Sequence, residues 1–266
     1  MQDCLCLLKP FEKLVAEAES ETFAGWDFSY LEGRLIEDPT PWDYRGIVSK
    51  LLTSVNTLVD LGTGGGEFLA SLHPLPLHTF ATEGYAPNVI VAKRRLEPLG
   101  VKVIENGCDD NTSPTQEGTL PFNDGSIDLV IDKHESFVAA EVFRVLRPHG
   151  RFVTQQVGDS NYPELNRALG SQKAPNEARW NLRKAIKQIK TAGFRVTDSR
   201  EARMEAQFLD VGAIVYYLRA IPWQVPSFSV QSNHDALKKL DKTIRKYGSF
   251  RVTFPRFLVQ AEKIPS

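Results

Sequence analysis

Apolar residues in the middle of the chain form short runs that alternate with amphipathic segments. The apolar runs predict strands near 55–61, 77–83, 101–105, 127–132 and 151–157. The segments between them predict helices near 65–72, 86–98 and 135–147. Regular alternation of this kind is typical of a parallel sheet whose crossover helices cover both faces. The pattern therefore predicts an α/β core.

The carboxyl-terminal part of the chain predicts longer elements. A helix near 182–189 is expected to end before Gly193, which suits a left-handed residue at that position. Apolar and charged residues alternate over 202–208 and predict a half-buried strand. Asp210 is expected to cap the next helix, and a further helix near 233–247 precedes a last strand.

The first fifty residues are dense in aromatic side chains. These side chains are Phe23, Trp26, Phe28, Tyr30, Trp42 and Tyr44. A small satellite core would explain the cluster, and so would a lid over a ligand site. The sequence alone leaves both explanations open.

The first strand of the core leads directly into a glycine-rich turn. Asp60-Leu61 is followed by Gly62-Thr63-Gly64-Gly65-Gly66 and then by a predicted helix. Such a turn brings backbone amides and a helix N-terminus close to a ligand without an intervening Cβ. Glu83 ends the next strand, where a carboxylate suits a ribose diol. The turn by itself is equally compatible with a dinucleotide site.

Together with later motifs, these residues resemble the class I S-adenosylmethionine-dependent methyltransferases over roughly residues 45–158. The motifs are Val59-Asp60-Leu61-Gly62-Thr63-Gly64-Gly65-Gly66, Glu83, Leu120-Pro121-Phe122, Ser126-Ile127-Asp128-Leu129-Val130 and Glu141-Val142-Phe143-Arg144-Val145-Leu146-Arg147-Pro148. Within that class the chain is most similar to the menaquinone and ubiquinone C-methyltransferases. The resemblance implies S-adenosylmethionine as the cofactor that donates the methyl group.

The resemblance also implies a Rossmann-like, mostly parallel sheet of seven strands with helices on both faces. Its last two strands form a hairpin, which here is expected to hold a helical insertion at about 208–250. We expect one structural domain with three parts. These are an N-terminal lid (1–50), a cofactor-binding core (51–158) and a carboxyl-terminal half of the sheet with the capping insertion (159–266).

Several residues are expected at the donor site from the same resemblance. Gly62, Gly64 and Gly66 would pass under the amino-acid and ribose parts of the donor. Glu83, with Gly84 beside it, would accept hydrogen bonds from the ribose hydroxyls, although a solvated strand end would also explain a carboxylate there.

Two further acidic positions are assigned by the resemblance. Asp60 would orient the glycine loop or the ammonium group of the donor, or it would only cap the turn. Asp109 or Asp110 would meet the adenine amino group, and we favour Asp109.

Methyl transfer is an in-line displacement that needs alignment of donor and acceptor at about 3–3.5 Å and exclusion of water. His134 follows the fourth strand, at the sheet edge where ligands bind in such folds. It is a candidate general base and also a candidate donor contact or pocket residue, and we favour positioning. The predicted acceptor pocket consists of Trp26, Tyr30, Gln155, Tyr216 and Trp223.

The composition of the chain limits the kinds of binding partner, metal site and location that we expect for the protein. A net charge of −1 gives no reason to expect nucleic acid or an anionic membrane as partner. Cys4, Cys6 and Cys108 fit neither a disulfide framework nor a zinc site, so we expect free thiols and no metal. The chain shows no signal-peptide pattern and no apolar stretch of about 18 residues, which favours a cytoplasmic protein.

These observations predict an S-adenosylmethionine-dependent methyltransferase that acts on a small molecule. An RNA base methyltransferase and a noncatalytic S-adenosylmethionine-binding protein remain as alternatives. A nicotinamide dehydrogenase is disfavoured, because the motifs after the glycine turn are those of methyltransferases.

Overall fold

The computed structural model describes residues 9–23, 26–106, 119–171 and 180–265. The strands are β1 (Leu35–Glu37), β2 (Thr57–Leu61), β3 (His78–Glu83), β4 (Lys102–Glu105), β5 (Ile127–Lys133), β6 (Leu146–Val157), β7 (Phe194–Phe208) and β8 (Phe250–Lys263). The helices are α1 (Phe11–Ser20), α2 (Tyr44–Leu52), α3 (Glu67–Ala70), α4 (Ala86–Leu96), α5 (Ala139–Val145), α6 (Pro163–Ala168), α7 (Leu182–Thr191), α8 (Val211–Ala220) and α9 (His234–Tyr247).

Within the described ranges the strands form one mixed sheet in the order β1-β7-β8-β6-β5-β2-β3-β4. Strands β4, β3, β2, β5 and β6 are parallel, and β8 runs antiparallel to both β6 and β7. The predicted Rossmann-like α/β sheet is thereby confirmed. It contains eight strands where seven were predicted.

The additional strand is β1, which lies at the edge of the sheet. Pairing between β7 and β8 continues through Phe208 and Phe250, past the last pair that β8 makes with β6, Val157 with Arg256. The hairpin therefore projects beyond the carboxyl edge of the parallel strands. Leu35 of β1 lies opposite Phe208, so β1 covers the backbone groups that this projection would otherwise expose.

The projecting hairpin carries a cap, which we define as α1, β1, α8 and α9. The insertion predicted at about 208–250 forms α8 and α9. Every residue of α8 except Arg219 is buried, and the helix packs with Leu14 and Val15 of α1 and with Phe208 and Phe254 of the hairpin. The cap thus has its own apolar core at the carboxyl edge of the sheet.

Helices cover both faces of the parallel strands. α2 and α4 pack on one face against Leu58 and Ile131, and α5 and α7 pack on the other against Val59 and Val130. We call these the α2 face and the α5 face. Alternate residues of β2 and β5 point to opposite faces, which accounts for the continuous apolar runs in the sequence.

The helix ends agree with the sequence in two cases and depart from it in a third. The Asp210 carboxylate accepts the backbone N–H of Ala213 at 2.9 Å, and Gly193 follows α7 with φ 106°. The helix predicted over 135–147 begins only at Ala139. Glu135 therefore does not lie in its first turn, because the preceding residues form a loop that starts at His134 with φ 73°. Among the described residues, no helix has the length and apolar character that crossing a membrane requires.

Candidate functional site

The glycine turn after β2 is held against the end of β3. The glycines with positive φ are Gly62 (57°), Gly64 (61°) and Gly66 (83°). The backbone N–H of Thr63 donates to the carbonyl of Thr82 at 2.8 Å, and the N–H of Gly64 donates to Oε2 of Glu83 at 2.7 Å. Glycine is favoured at these positions because L side chains rarely adopt positive φ.

Glu83 is nearly buried, with 4% of its surface exposed. Its Oε1 accepts the backbone N–H of Tyr85 at 2.8 Å. This hydrogen bond bridges the exposed Gly84, which lies between the two residues. Glu83 is therefore not a solvated strand end. Each carboxylate oxygen accepts one amide and retains a second acceptor site. Two adjacent acceptors of this kind fit the two hydroxyls of a ribose.

Asp60 lies on the α2 face, just before the glycine turn. It is 3% exposed, and its Oδ2 accepts the hydroxyl of Thr63 at 2.8 Å. Burial raises the pKa of Asp60 to about 7, although the hydrogen bond from Thr63 and the charge of Lys133 act to lower it. This contact is the one expected of a turn-capping residue. A role toward the donor ammonium stays a prediction.

A small cavity of about 20 Å³ lies beside Gly62 on the α5 face. Leu61, Thr82, Asn106, Leu120, Phe137 and Val142 are among its lining residues. A Cβ at Gly62 would collide with the side chain of Glu135, so only glycine leaves room for that carboxylate. Asp109 and Asp110 lie outside the described residues, and Asn106 is the last described residue before them.

Asp132 organises the loop that follows β5. This residue is fully buried and accepts the backbone N–H of Glu135 at 3.0 Å, the hydroxyl of Thr154 at 3.1 Å and the amide of Gln156 at 2.9 Å. Burial raises the pKa of its carboxyl group well above the ordinary value. Asp132 is a residue of this site that was not predicted, although an acidic residue at the end of an apolar strand was the available signal.

His134 and Gln155 meet at the end of β5 and β6. Nε2 of Gln155 lies 3.1 Å from Nε2 of His134, and the His134 backbone N–H donates to the Gln155 carbonyl at 2.8 Å. Oε1 of Gln155 accepts the indole N–H of Trp42 at 2.8 Å. Trp42 therefore orients the amide of Gln155. Its place among the aromatic residues of the first fifty positions did not predict this role.

His134 is exposed to solvent, although protein atoms are dense around its ring. Its surface exposure is that of a surface residue. The dense protein around it nevertheless lowers its pKa well below the ordinary value, and the charges of Arg256 and Lys133 act in the same direction. A position on the floor of a crevice accounts for both observations. The imidazole is therefore neutral near pH 7.

The five residues predicted for the acceptor pocket occupy three places. Trp26 lies over the glycine turn, because a Cβ added at Gly64 would be 3.8 Å from Cδ1 of Trp26. The ring centroids of Trp26 and Trp223 are 6.0 Å apart. Tyr30 packs on Tyr216 inside the cap with ring centroids 4.5 Å apart. Tyr216 is 2% exposed and donates to the Asp27 carbonyl at 3.0 Å. Gln155 lies on the crevice floor, apart from both pairs.

The donor set of this site suits S-adenosylmethionine. The glycine turn and the two free acceptor sites of Glu83 match, in order, an amino acid and a ribose diol. Among the described residues, no group of three or more His, Cys, Asp or Glu side chains could hold a metal ion.

Residues 59–154 match the family described as methyltransferase domain. The match runs from β2 into β6 and leaves out the hairpin and the cap. No curated protein matches the chain.

Several solved structures share the fold. A proposed methyltransferase from Bacillus halodurans C-125 is 14% identical, with 84% of this chain and 99% of that chain covered at a TM-score of 0.56. The YcgJ protein of Bacillus subtilis is 16% identical, with 84% and 98% covered at 0.52. A protein of unknown function from Deinococcus radiodurans R1 is 14% identical, with 86% and 91% covered at 0.55. Such low identities show the fold alone.

Similarity to the menaquinone and ubiquinone subgroup stays a prediction. The family match and the site geometry nevertheless agree on the donor, and the strand order of the sheet agrees with the class. The chain therefore carries a class I S-adenosylmethionine-dependent methyltransferase domain.

Proposed function

We propose that this protein transfers a methyl group from S-adenosylmethionine to a small molecule bound between the carboxyl edge of the sheet and the cap. The observation that carries the proposal is the position of Trp26, which reaches from the N-terminal segment over Gly64 and contacts Trp223. Two segments outside the matched residues 59–154 thus converge over the donor turn. A covered crevice suits a small acceptor better than a polymer.

The residues of the glycine turn, with Asp60, Glu83 and Gly84, would hold the donor. Asp109 is proposed to meet the adenine. When bound, the donor supplies an electrophilic methyl group on a sulfonium. The tasks of this chain are then to orient the acceptor, exclude water and keep the reacting atoms in line.

His134 and Gln155 are proposed to position the acceptor without taking a proton from it. Their side chains form one polar surface on the crevice floor, held by Trp42. Trp26 and Trp223 would limit the access of water from above. We also propose that the protein works in the cytoplasm, which agrees with the free thiols expected from its sequence.

A labelled methyl donor incubated with the protein and separate pools of metabolites and RNA tests the proposal. Label is expected in a low-mass product. Label in RNA would instead support an RNA base methyltransferase. Tight binding of S-adenosylmethionine without transfer to either pool would support a noncatalytic binding protein. Calorimetry should also show that NAD and NADP bind far more weakly than S-adenosylmethionine.

A further inference from the structure

Arg256 lies on the same face of the sheet as Gln155. Arg256 of β8 lies opposite Val157 of β6, and Leu258 of β8 lies opposite Gln155. Since side chains of directly opposed residues share a face, and residues two apart along a strand do so too, Arg256 and Gln155 are neighbours on the α2 face. The charge of Arg256 also lowers the pKa of His134, which agrees with this placement.

The guanidinium of Arg256 is largely enclosed, with 12% of its side chain exposed. Its Nη1 donates to Oδ1 of Asn161 at 2.9 Å and to the Pro255 carbonyl at 3.0 Å, and its Cζ lies 4.6 Å from the centre of the Phe254 ring. All three of these partners are neutral. They hold the side chain in place without balancing its charge.

Within the described part of the chain, the carboxylate that faces Arg256 is that of Glu37, and the contact between them is loose. Oε1 of Glu37 lies 3.9 Å from Nη2 of Arg256, which is beyond hydrogen-bond distance. The same oxygen accepts the hydroxyl of Tyr162. The side chain of Glu37 is 42% exposed and belongs to the three-residue edge strand β1. Glu37 therefore bonds the buried Tyr162 while it holds Arg256 only loosely.

An enclosed guanidinium costs free energy unless a closely bonded anion compensates for it. The planar fork of arginine binds a carboxylate through two parallel hydrogen bonds. At Arg256 the charge is enclosed and fixed, yet its ion pair is long. Among the described residues, no anion makes a close hydrogen bond to the guanidinium of Arg256.

We propose that the methyl acceptor carries a carboxylate group, which binds Arg256 and replaces the loose contact with Glu37. This inference rests on the proposed function, because it places the acceptor in the crevice beside His134. It adds the chemical class of the acceptor and a residue that selects it.

The test is calorimetry on the full chain saturated with S-adenosylhomocysteine. The probes are aliphatic and aromatic carboxylic acids, each paired with its amide, beginning with acetate against acetamide and benzoate against benzamide. At least one acid is expected to bind about tenfold or more tightly than its amide. Arg256→Gln should abolish that preference, since a hydrogen bond to a charged group is worth about 1.5–3 kcal/mol, or about 10–150-fold.

Two further variants keep the result interpretable. Glu37→Gln removes the competing carboxylate from an exposed position and should tighten binding of the acid, an effect that a purely structural role of Arg256 would not produce. Arg251→Gln, on the exposed side of the same strand, is the matched control and should change nothing.

Equal binding of every acid and its amide in the unaltered protein would overturn the inference, as would a preference that survives Arg256→Gln. Inorganic phosphate that competes as well as the best acid would also overturn it, because the site would then select charge rather than a carboxylate. Failure of S-adenosylhomocysteine to bind would instead count against the proposed function. The two failures are therefore distinguishable.

Discussion

Nε2 of His134 accepts a hydrogen bond from the side-chain amide of Gln155 across 3.1 Å. The indole N–H of Trp42 can only donate, so the atom of the Gln155 amide that it contacts is the acceptor oxygen. The amide atom that faces His134 is therefore the NH₂ nitrogen, which can only donate. His134 therefore holds its proton on Nδ1, and its unprotonated nitrogen, Nε2, already accepts a hydrogen bond from Gln155. This arrangement presents a neutral polar surface and does not favour a general base.

His134→Asn is accordingly expected to keep most of the rate of methyl transfer. A general base contributes about 10²–10⁴-fold, so we expect kcat to stay within about tenfold and the change to appear in the KM of the acceptor. The pH–rate profiles of the variant and of the unaltered protein should show the same limbs. Gln155→Leu, which leaves the ring in place but frees its Nε2, is the companion variant. A hundredfold fall in kcat for His134→Asn, with both substrates still bound, would establish His134 as the base.

Glu83→Gln is expected to weaken the binding of S-adenosylhomocysteine by about 10–150-fold, because one carboxylate oxygen becomes a donor and the charge is lost. The free protein should also become less stable, since Gly64 and Tyr85 donate to the two oxygens. Calorimetry and thermal unfolding measure the two effects. Glu105→Gln is the matched control, because Glu105 lies opposite Glu83 in β4 and is exposed. Equal donor affinity in both variants would place the ribose elsewhere.

Trp26→Ala is expected to increase the rate at which S-adenosylhomocysteine dissociates, because Trp26 covers the turn at Gly64. Stability should change little, since 42% of Trp26 is exposed. Stopped-flow displacement measures the rate. Tyr247→Ala serves as control, because Tyr247 is 68% exposed at the end of α9. If dissociation is equally fast in the unaltered protein, Trp26→Ala and Tyr247→Ala, Trp26 contributes only to packing.

The core of the fold was predictable because its signals are local. A run such as Leu58-Val59 followed by glycines determines a buried strand and its turn without reference to distant parts of the chain. The placement of Glu83 at the end of the next strand follows from the same short-range pattern. Parallel strands align their carboxyl ends, so the meeting of Gly64 and Glu83 followed from topology.

The parts that escaped prediction depend on distant partners. Leu35–Glu37 forms a strand only because the hairpin extends to Phe208, and three residues carry no periodicity of their own. Arg256 stands between apolar residues of β8, and nothing in its neighbourhood shows that its charge faces Glu37. Tyr30 and Tyr216, which were predicted for the acceptor pocket, pack on each other inside the cap. This contact depends on α8, which is buried except at Arg219 and packs against the N-terminal segment.

The raised pKa of Asp60 predicts a specific dependence of stability on pH. The folded protein holds this proton up to about pH 7, whereas the ordinary value is 3.8. Between these two values the folded state binds more protons than the unfolded state, so the contribution of Asp60 to the free energy of unfolding falls as pH rises. Asp60→Asn removes the titration and keeps an acceptor for the Thr63 hydroxyl.

The unaltered protein should therefore lose stability relative to Asp60→Asn from about pH 4 to pH 7, by about 1–4 kcal/mol, and the difference should level off above pH 7. Urea unfolding at intervals of one pH unit measures it. Asp235→Asn is the control, because the Asp235 side chain is 97% exposed, and its difference from the unaltered protein should stay small throughout. A difference for Asp60→Asn that is constant between pH 4 and pH 8 would show that Asp60 is ionised in the folded protein over this whole range. A nearby cation would then stabilise the charge of Asp60, and Lys133, whose charge lowers the pKa of Asp60, would be the first residue to test.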